Sequence, residues 1–517
     1  MMHESRVDVV VSGAGPNGLM LACELALSGV HPIVLDALPE PSAEPKANGL
    51  VGQVVRMLDM RGLYRAFTGA LDPPAPIPGF IFSGLPVSFA GLPDNPMYSL
   101  LIPQPRLVRL LAKRARDLGV DIRWGHELTD LAQHDRGVNL NVAGPDGVYE
   151  LATRYLVGAD GGHSLVRKSV GIGFPGSTTP MVTRIAQVHI SDELRTGDGG
   201  IVIPGLGRLA FGHNRLERGG FAYGEVEPSP VVATMEFDGD TVSDDTPMTL
   251  AELSESLRRV LSVDLPFEPP RGPGPHALRR INGLNTRQAE RYREGNVILV
   301  GDSAHVHSGM GGPGLNLGLQ DAINLGWKLA ATVNGWAPTE LLDTYDTERH
   351  PVGERVMMQS MSQTALMAPG PEVAALRLLM GELLAKPDAA AHIAALLSGA
   401  DVRYDIGDSH RLSGRLVPDF TLPSGERVAE LLHTARPVLL DFTGGTFAES
   451  AAPWRGRVDV TTVDGSSGTA AAILIRPDGY VAWAADGCTP GDVDRLRAAL
   501  GRWFGPARRN AQAAAAG

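Results

Sequence analysis

The chain has 517 residues, 43% of them hydrophobic, and a net charge of −12, which suits about three globular domains at the usual ~150 residues each. That acidity argues against nucleic acid and anionic membranes as partners, and no apolar run approaches the ~20 residues of a membrane span. With two cysteines, Cys23 and Cys488, far apart, a disulfide framework is not expected and a reducing cytoplasm is; the first strand begins close to the N-terminus, so neither is a signal peptide.

Val7 to Ser12 reads as a short apolar strand that runs into Gly13-Ala14-Gly15-Pro16-Asn17-Gly18 and then a helix. This is the context a dinucleotide site needs. Gly13 permits the tight turn, Gly15 leaves room for a pyrophosphate and Gly18 lets helix and strand pack closely. The helix start offers free N–H groups and a positive dipole end to the anion. An acid is expected about 20 residues on to hold ribose hydroxyls, and Ile33-Val34-Leu35-Asp36 supplies it. The turn alone does not choose between NAD and FAD.

Further along, Thr183–Ile190, Gly219–Glu225 and Val231–Phe237 alternate or run apolar as strands do, so a β-rich insert is expected between two parts of the nucleotide-binding domain. Arg293 to Asp302 is a turn, a buried-type strand, then Gly301-Asp302 at its carboxyl end, where open α/β sheets place ligands. A glycine-rich loop, Gly309-Met310-Gly311-Gly312-Pro313-Gly314, precedes a helical run from Leu315 to Ala330. Such a helix N-terminus stabilises negative charge on a bound ring. His305 and His307 resemble half of a metal site, but no further ligands accompany them, so packing or a hydrogen bond is expected and no metal. Beyond about residue 400, strands alternate with helical pieces around Pro418–Leu422, Val438–Phe442, Val458–Val460 and Ala472–Trp483, a small α/β unit, and the alanine-rich end after Arg509 is expected to be disordered.

The chain resembles the para-hydroxybenzoate hydroxylase family of single-component (class A) FAD monooxygenases, and within it bacterial hydroxylases that tailor aromatic polyketides and rifampicin monooxygenases. The glycine turn, Leu156-Val157-Gly158-Ala159-Asp160-Gly161-Gly162 with Ser164, Val166 and Arg167, and Gly301 to Asn316 carry the likeness, in matching order and spacing. The resemblance implies a Rossmann-like FAD-binding domain of glutathione-reductase type from residues 1–178 and 275–400. It further implies a β-rich substrate domain at 179–274 and a thioredoxin-like C-terminal domain at 401–517. That last domain lacks Cys-x-x-Cys, which excludes thiol redox chemistry and leaves a structural or oligomer-contact role, with a homodimer open.

By the same resemblance, Gly13, Gly15, Pro16, Asn17 and Gly18 surround the FAD pyrophosphate, Asp36 the adenosine ribose, and Asp302 the ribityl and pyrophosphate groups. Gln104 contacts FAD, and backbone at Gly312, Gly314, Leu315 and Asn316 faces the isoalloxazine. Asp160 serves both FAD and a transient NADPH or NADH donor. The chain departs from the family pattern at Pro45-Lys46, where Ser-Arg is usual, at Gln53, often arginine, and at Gly309-Met310 and Pro313 in the flavin loop. Lys46 keeps a positive charge without the planar fork, and Gly309 is expected to take a positive φ or admit the flavin closely.

The expected chemistry is FAD, held non-covalently, reduced by NADPH or NADH, forming a C4a-hydroperoxyflavin with O2 and passing one oxygen atom to a small aromatic or polyketide substrate. His213, Tyr223 and His189 are candidate bases for a phenol. A Baeyer–Villiger oxygenase, a reductase or oxidase without oxygen insertion, and a noncatalytic flavoprotein remain open.

Overall fold

The computed structural model describes residues 7–44, 46–225, 229–237, 241–464 and 470–507. Pro45 and the end after Arg509 lie outside them. Val7–Ser12 pairs in parallel with Ile33–Asp36 on one side and Gly147–Gly158 on the other, with Val10 opposite both Ile33 and Leu156. Covered on both faces, such central strands must be apolar throughout, and Val9, Val10 and Val11 are fully buried. Asp121–Trp124 extends the sheet beyond Ile33–Asp36. Val297–Leu299 joins in parallel at the other side of Gly147–Gly158, with Gly158 opposite Leu299 although the two lie far apart along the chain. The Gly301-Asp302 segment is thereby delivered beside the Gly13 turn.

A second sheet is antiparallel, in the order Gly212–Leu216, Gly219–Gly224, Val231–Glu236, Gly176–Gln187, Leu278–Gln288, His305–Val306. The expected strands are there, and the α/β class with an inserted sheet is as read from sequence. The sheet nevertheless takes in Leu278–Gln288, which a boundary at 275 assigns to the nucleotide-binding part. It pairs along the whole of Gly176–Gln187, and its many Arg and Asn residues concealed it, because strand signals rest on β-branched and aromatic side chains. Helix Leu250–Leu261, capped by Thr249, covers one face of this sheet.

The C-terminal unit has four strands in the order Asp459–Thr462, Val438–Asp441, Ala472–Ile475, Val481–Ala485. Ala472–Trp483 is thus two strands, broken at Arg476-Pro477-Asp478-Gly479, where proline and a left-handed glycine make a turn (Gly479 φ 83°). Trp483, Leu496, Trp503 and Phe504 join the same apolar core as Val9 to Val11. No helix among the described residues is long and apolar enough to cross a membrane.

Candidate active site

The glycine turn performs its two duties at different residues. A Cβ on Gly18 would lie 2.0 Å from the Gly13 carbonyl oxygen, so only glycine lets the helix Pro16–Leu27 approach the strand. A Cβ on Gly15 would meet nothing within 4 Å, so that glycine keeps open the space in front of the helix N-terminus. Asp36 accepts from the N–H groups of Ala14 (2.7 Å) and Leu38 (2.9 Å), which makes it a brace for the turn as well as a candidate ribose ligand. Asn17 is wedged against Gly301 and Gly318, its Nδ2 2.0 and 2.3 Å from where their Cβ atoms would stand, and its Oδ1 is buried without a hydrogen-bond partner.

Asp160 and Asp302 flank this turn. Asp160 Oδ2 accepts from Val166 N–H at 3.1 Å at the start of a short helix, while Oδ1 is buried and unpartnered. Ser164 caps that helix, and Arg167 reaches across to the Gly162 and Ser303 carbonyls (3.0 and 2.8 Å) over the face of Phe174. Ser303 Oγ donates to the Gly158 carbonyl at 2.6 Å, so the two motifs are stitched together. Asp302 is exposed to solvent yet walled by protein, as in a cleft; the wall pushes its pKa up, while His305 and Lys46 pull it back. Lys46 therefore faces Asp302, and it pairs with Glu44, which also meets Arg279 of the second sheet. Gln104 begins helix Gln104–Asp117 and is half-buried, its N–H on the Ala47 carbonyl. Gln53 is buried on Pro96 and Arg56 instead.

Helix Pro313–Val333 starts at Gly312 in the left-handed region (φ 68°), with Pro313 at its first position and Gly311 also at positive φ (76°). The positive φ expected at Gly309 is not found; the two left-handed turns fall on Gly311 and Gly312, and a Cβ on Gly309 would meet nothing within 4 Å. Gly309→Ala is accordingly expected to raise stability by about 0.4–1 kcal/mol through the unfolded chain, read by thermal unfolding; a lower midpoint would show that the loop needs glycine there. Met310 is buried against Met181, Met235 and Met367. Asn316 spends its side chain on Val51 N–H and the Gly312 carbonyl (3.1 and 2.8 Å), leaving backbone at Gly314 and Leu315 for a ligand.

His307 packs beside Gly314; its Nδ1 donates to the Ser308 carbonyl at 3.0 Å, and burial lowers its pKa to about 4, so it is neutral. His305 bonds Asp321 at 2.6 Å, and no group of three or more His, Cys, Asp or Glu among the described residues is placed for a metal.

Strand register separates the candidate bases. Thr234 bonds Ser256 of helix Leu250–Leu261, and Phe221 and Tyr223 share that face, so Tyr223 is buried on the far side with its hydroxyl on Glu225 at 3.2 Å. His213 lies opposite Ala222, on the other face, with Gly220, Ala233 and Met235. That face carries Met235 onto Met310 of the glycine loop. Protein around half-buried His213 lowers its pKa and keeps it neutral. His189 sits outside the six strands, bridged to Glu268. Of the three, only His213 shares a face with the loop.

The sequence matches the FAD binding domain family over residues 6–360 and the aromatic-ring hydroxylase C-terminal family over residues 410–507. The chain belongs to the FAD-dependent aromatic-ring hydroxylases. It is 42% identical to the 12-dehydrotetracycline 5-monooxygenase/anhydrotetracycline 6-monooxygenase of Streptomyces rimosus subsp. rimosus, covering 97% of this chain and 99% of that one. It is 39% identical to the rifampicin monooxygenase of Streptomyces venezuelae, with the same coverage. Among solved structures, the anhydrotetracycline hydroxylase of Streptomyces rimosus superposes with a TM-score of 0.85 at 41% identity, covering 97% and 100% of the two chains. As a hydroxylase of this family the chain is a flavin-dependent monooxygenase, and FAD is its cofactor. The residues fit the group: Gly15 leaves the helix start open, and Asn17 Oδ1 and Asp160 Oδ1 are polar atoms still lacking partners.

Sequence reasoning missed one polar assembly. Asp321, Asn324 and Lys328 fall on one side of a largely apolar helix and are all buried, bonded to Arg349 and Glu348. Their spacing of three and four residues was the available signal.

Proposed function

We propose that this hydroxylase uses NADPH or NADH and O2 to insert one oxygen atom into an aromatic, polyketide-type secondary metabolite. The observation that carries the reading is the convergence of four separate segments on one cleft: the Gly13 turn, Asp160, Asp302 and the start of the Pro313–Val333 helix. The polycyclic compounds named for the relatives, anhydrotetracycline and rifampicin, support the substrate class.

FAD, when bound, supplies reducing equivalents and the activation of oxygen. The protein's part is binding and positioning. N–H groups at the start of helix Pro16–Leu27 take the pyrophosphate, with Gly15 leaving the approach clear, and Asp302 and Asp36 take hydroxyls. N–H groups at Gly314 and Leu315, at a positive helix end, favour negative charge on the ring. Half-buried Ala222 keeps the sheet low beside His213, so that a flat ring system can lie against that edge of the methionine-covered face, and neutral His213 accepts a phenolic proton.

Incubation with NADPH, 18O2 and a panel of polycyclic phenols, followed by mass spectrometry, tests this. Gain of one labelled oxygen as a hydroxyl is expected; ring-expanded ester or unlabelled product overturns the hydroxylation. A second test concerns Asp160. Asp160→Ala is expected to slow anaerobic flavin reduction about tenfold or more while FAD is retained, since one of its oxygens has no protein partner and a charged hydrogen bond carries ~1.5–3 kcal/mol. Stopped-flow absorbance measures it, and an unchanged rate in FAD-loaded variant removes Asp160 from donor access.

A further inference from the structure

The C-terminal unit holds no thiol pair, yet it inserts one turn deep into the nucleotide-binding part. At the Arg476-Pro477-Asp478-Gly479 turn, Arg476 is fully buried and grips Glu348 of helix Thr344–Met367 with two bonds of 2.6 and 2.7 Å. It also bonds Asp478. Asp478 in turn accepts from Asn324 and from the Trp327 indole N–H, both at 3.2 Å and both on helix Pro313–Val333. Lys328 of that helix closes the circuit on Glu348 and Asn324 at 2.8 Å. Behind the turn, Arg61 pairs doubly with Glu24 and donates to the Pro477 carbonyl at 2.6 Å. Arg476 lies over the rings of Trp503 and Trp327.

These anchors run along one side of a single helix toward its N-terminus. Above Trp327 and Asn324 comes Asp321, held by Arg349 at 2.7 Å and by His305 at 2.6 Å. Arg349 belongs to the same helix as Glu348 and reaches Tyr404 at 3.0 Å and the Leu317 carbonyl at 3.4 Å. One turn further, Asn316 fastens the Gly312 carbonyl. Apolar packing of equal volume would stabilise the helix as well as a desolvated ion network does. What directional bonds add is a fixed height and rotation: a helix that slips by one residue moves its end by ~1.5 Å, and a misplacement of that order at a reacting ring costs about a hundredfold in rate.

We propose that the Arg476-Pro477-Asp478 turn is a positioning device for FAD, with Arg476 and Asp478 as positioning residues that set the Pro313–Val333 helix and hence the N–H groups at its start. The inference rests on the placement of the flavin at that helix start. It gives the C-terminal unit a task in the same protomer, beyond packing or oligomer contact.

The test uses full-length Trp327→Phe, which keeps an aromatic ring, though a smaller one, and removes the N–H to Asp478, and Arg476→Lys, which keeps the charge and loses the fork. FAD affinity is read by flavin fluorescence and the bound flavin by its visible absorption, alongside thermal unfolding of the apoprotein. Both variants are expected to fold, with FAD bound about tenfold more weakly and the flavin absorption bands displaced from the parent's. A purely structural role lowers the unfolding midpoint and leaves affinity and spectrum in the folded protein as they were. Affinity within twofold and an unchanged spectrum in Trp327→Phe overturn the proposal, and that variant alone decides should Arg476→Lys not fold. Asp302→Ala is run beside them. If it weakens FAD while Trp327→Phe does not, the positioning role fails and the flavin placement stands; if neither does, the placement fails too.

Discussion

Gly18→Ala is expected to weaken FAD binding and to lower native stability together, whereas Gly15→Ala is expected to weaken FAD binding alone. The added methyl at Gly18 would press on the Gly13 carbonyl oxygen at 2.0 Å and on Ala159 Cβ at 3.2 Å. Backbone cannot swing aside as a side chain does, so the cost reaches or passes the upper end of the ~1–3 kcal/mol typical of overpacking, and the turn that presents the N–H groups is pushed out of shape. At Gly15 the same methyl touches no protein atom within 4 Å. It stands where the pyrophosphate must approach the helix start, so affinity is expected to fall by a hundredfold or more, equivalent to ~2.7 kcal/mol, with the apoprotein unfolding as the parent does. Fluorescence titration with FAD and thermal unfolding of both apoproteins separate the cases. Parent-like FAD affinity in Gly15→Ala would move the pyrophosphate elsewhere.

That contrast was legible in part. The spacing of the three glycines and the acid at Asp36 is a local pattern, set by one strand, one turn and one helix, and the residues around it could be read in order. Asp36 acquired a second duty only when its carboxylate was seen bracing Ala14 and Leu38. The candidate bases were beyond sequence, because both faces of the second sheet carry protein, helix Leu250–Leu261 on one and Met310 and Met367 around Met235 on the other. Alternation separates His213 from Tyr223 only once the register of Gly212–Leu216 on Gly219–Gly224 is known. The positive φ expected at Gly309 was misplaced for a similar reason: three glycines lie within four residues, and which of them turns left-handed depends on where Pro313 starts the helix. The buried ion network joins residues 321–349 to 476–478, contacts too distant along the chain for periodicity to register, although polar residues at 321, 324 and 328 on a largely apolar helix marked where to look.

Glu348→Gln is expected to be among the most damaging single changes in the chain. Glu348 receives Arg476 twice, Lys328 and Asn324, with almost no exposed surface to share the charge. Burial alone would raise its pKa, but Arg476 and Lys328 outweigh it and hold the carboxyl down to about 2. Replacing it leaves two buried cations facing one carboxylate, Asp478, and removing one partner of a buried pair costs ~3–5 kcal/mol. Against a total of ~5–15 kcal/mol, that is a large share. The pH dependence has a definite sign. A carboxyl whose folded pKa lies below its unfolded value stabilises fully above the unfolded value and loses that contribution as pH falls through the folded one. The parent should therefore shed this increment between about 4.5 and about 2, and the Gln variant, having none to shed, should show a flatter acid limb. Lys328 works at the other end: burial lowers its pKa to about 8, so above that value the unfolded chain holds more protons and stability rises with pH for this group. Without Glu348 the lysine loses its main partner, its pKa falls further, and that rise begins at lower pH. Urea unfolding from pH 3 to 10 measures both limbs. A variant within ~1 kcal/mol of the parent at pH 7, with the same acid slope, would mean that Arg476 and Lys328 find other partners and that the network is not the keystone of this interface.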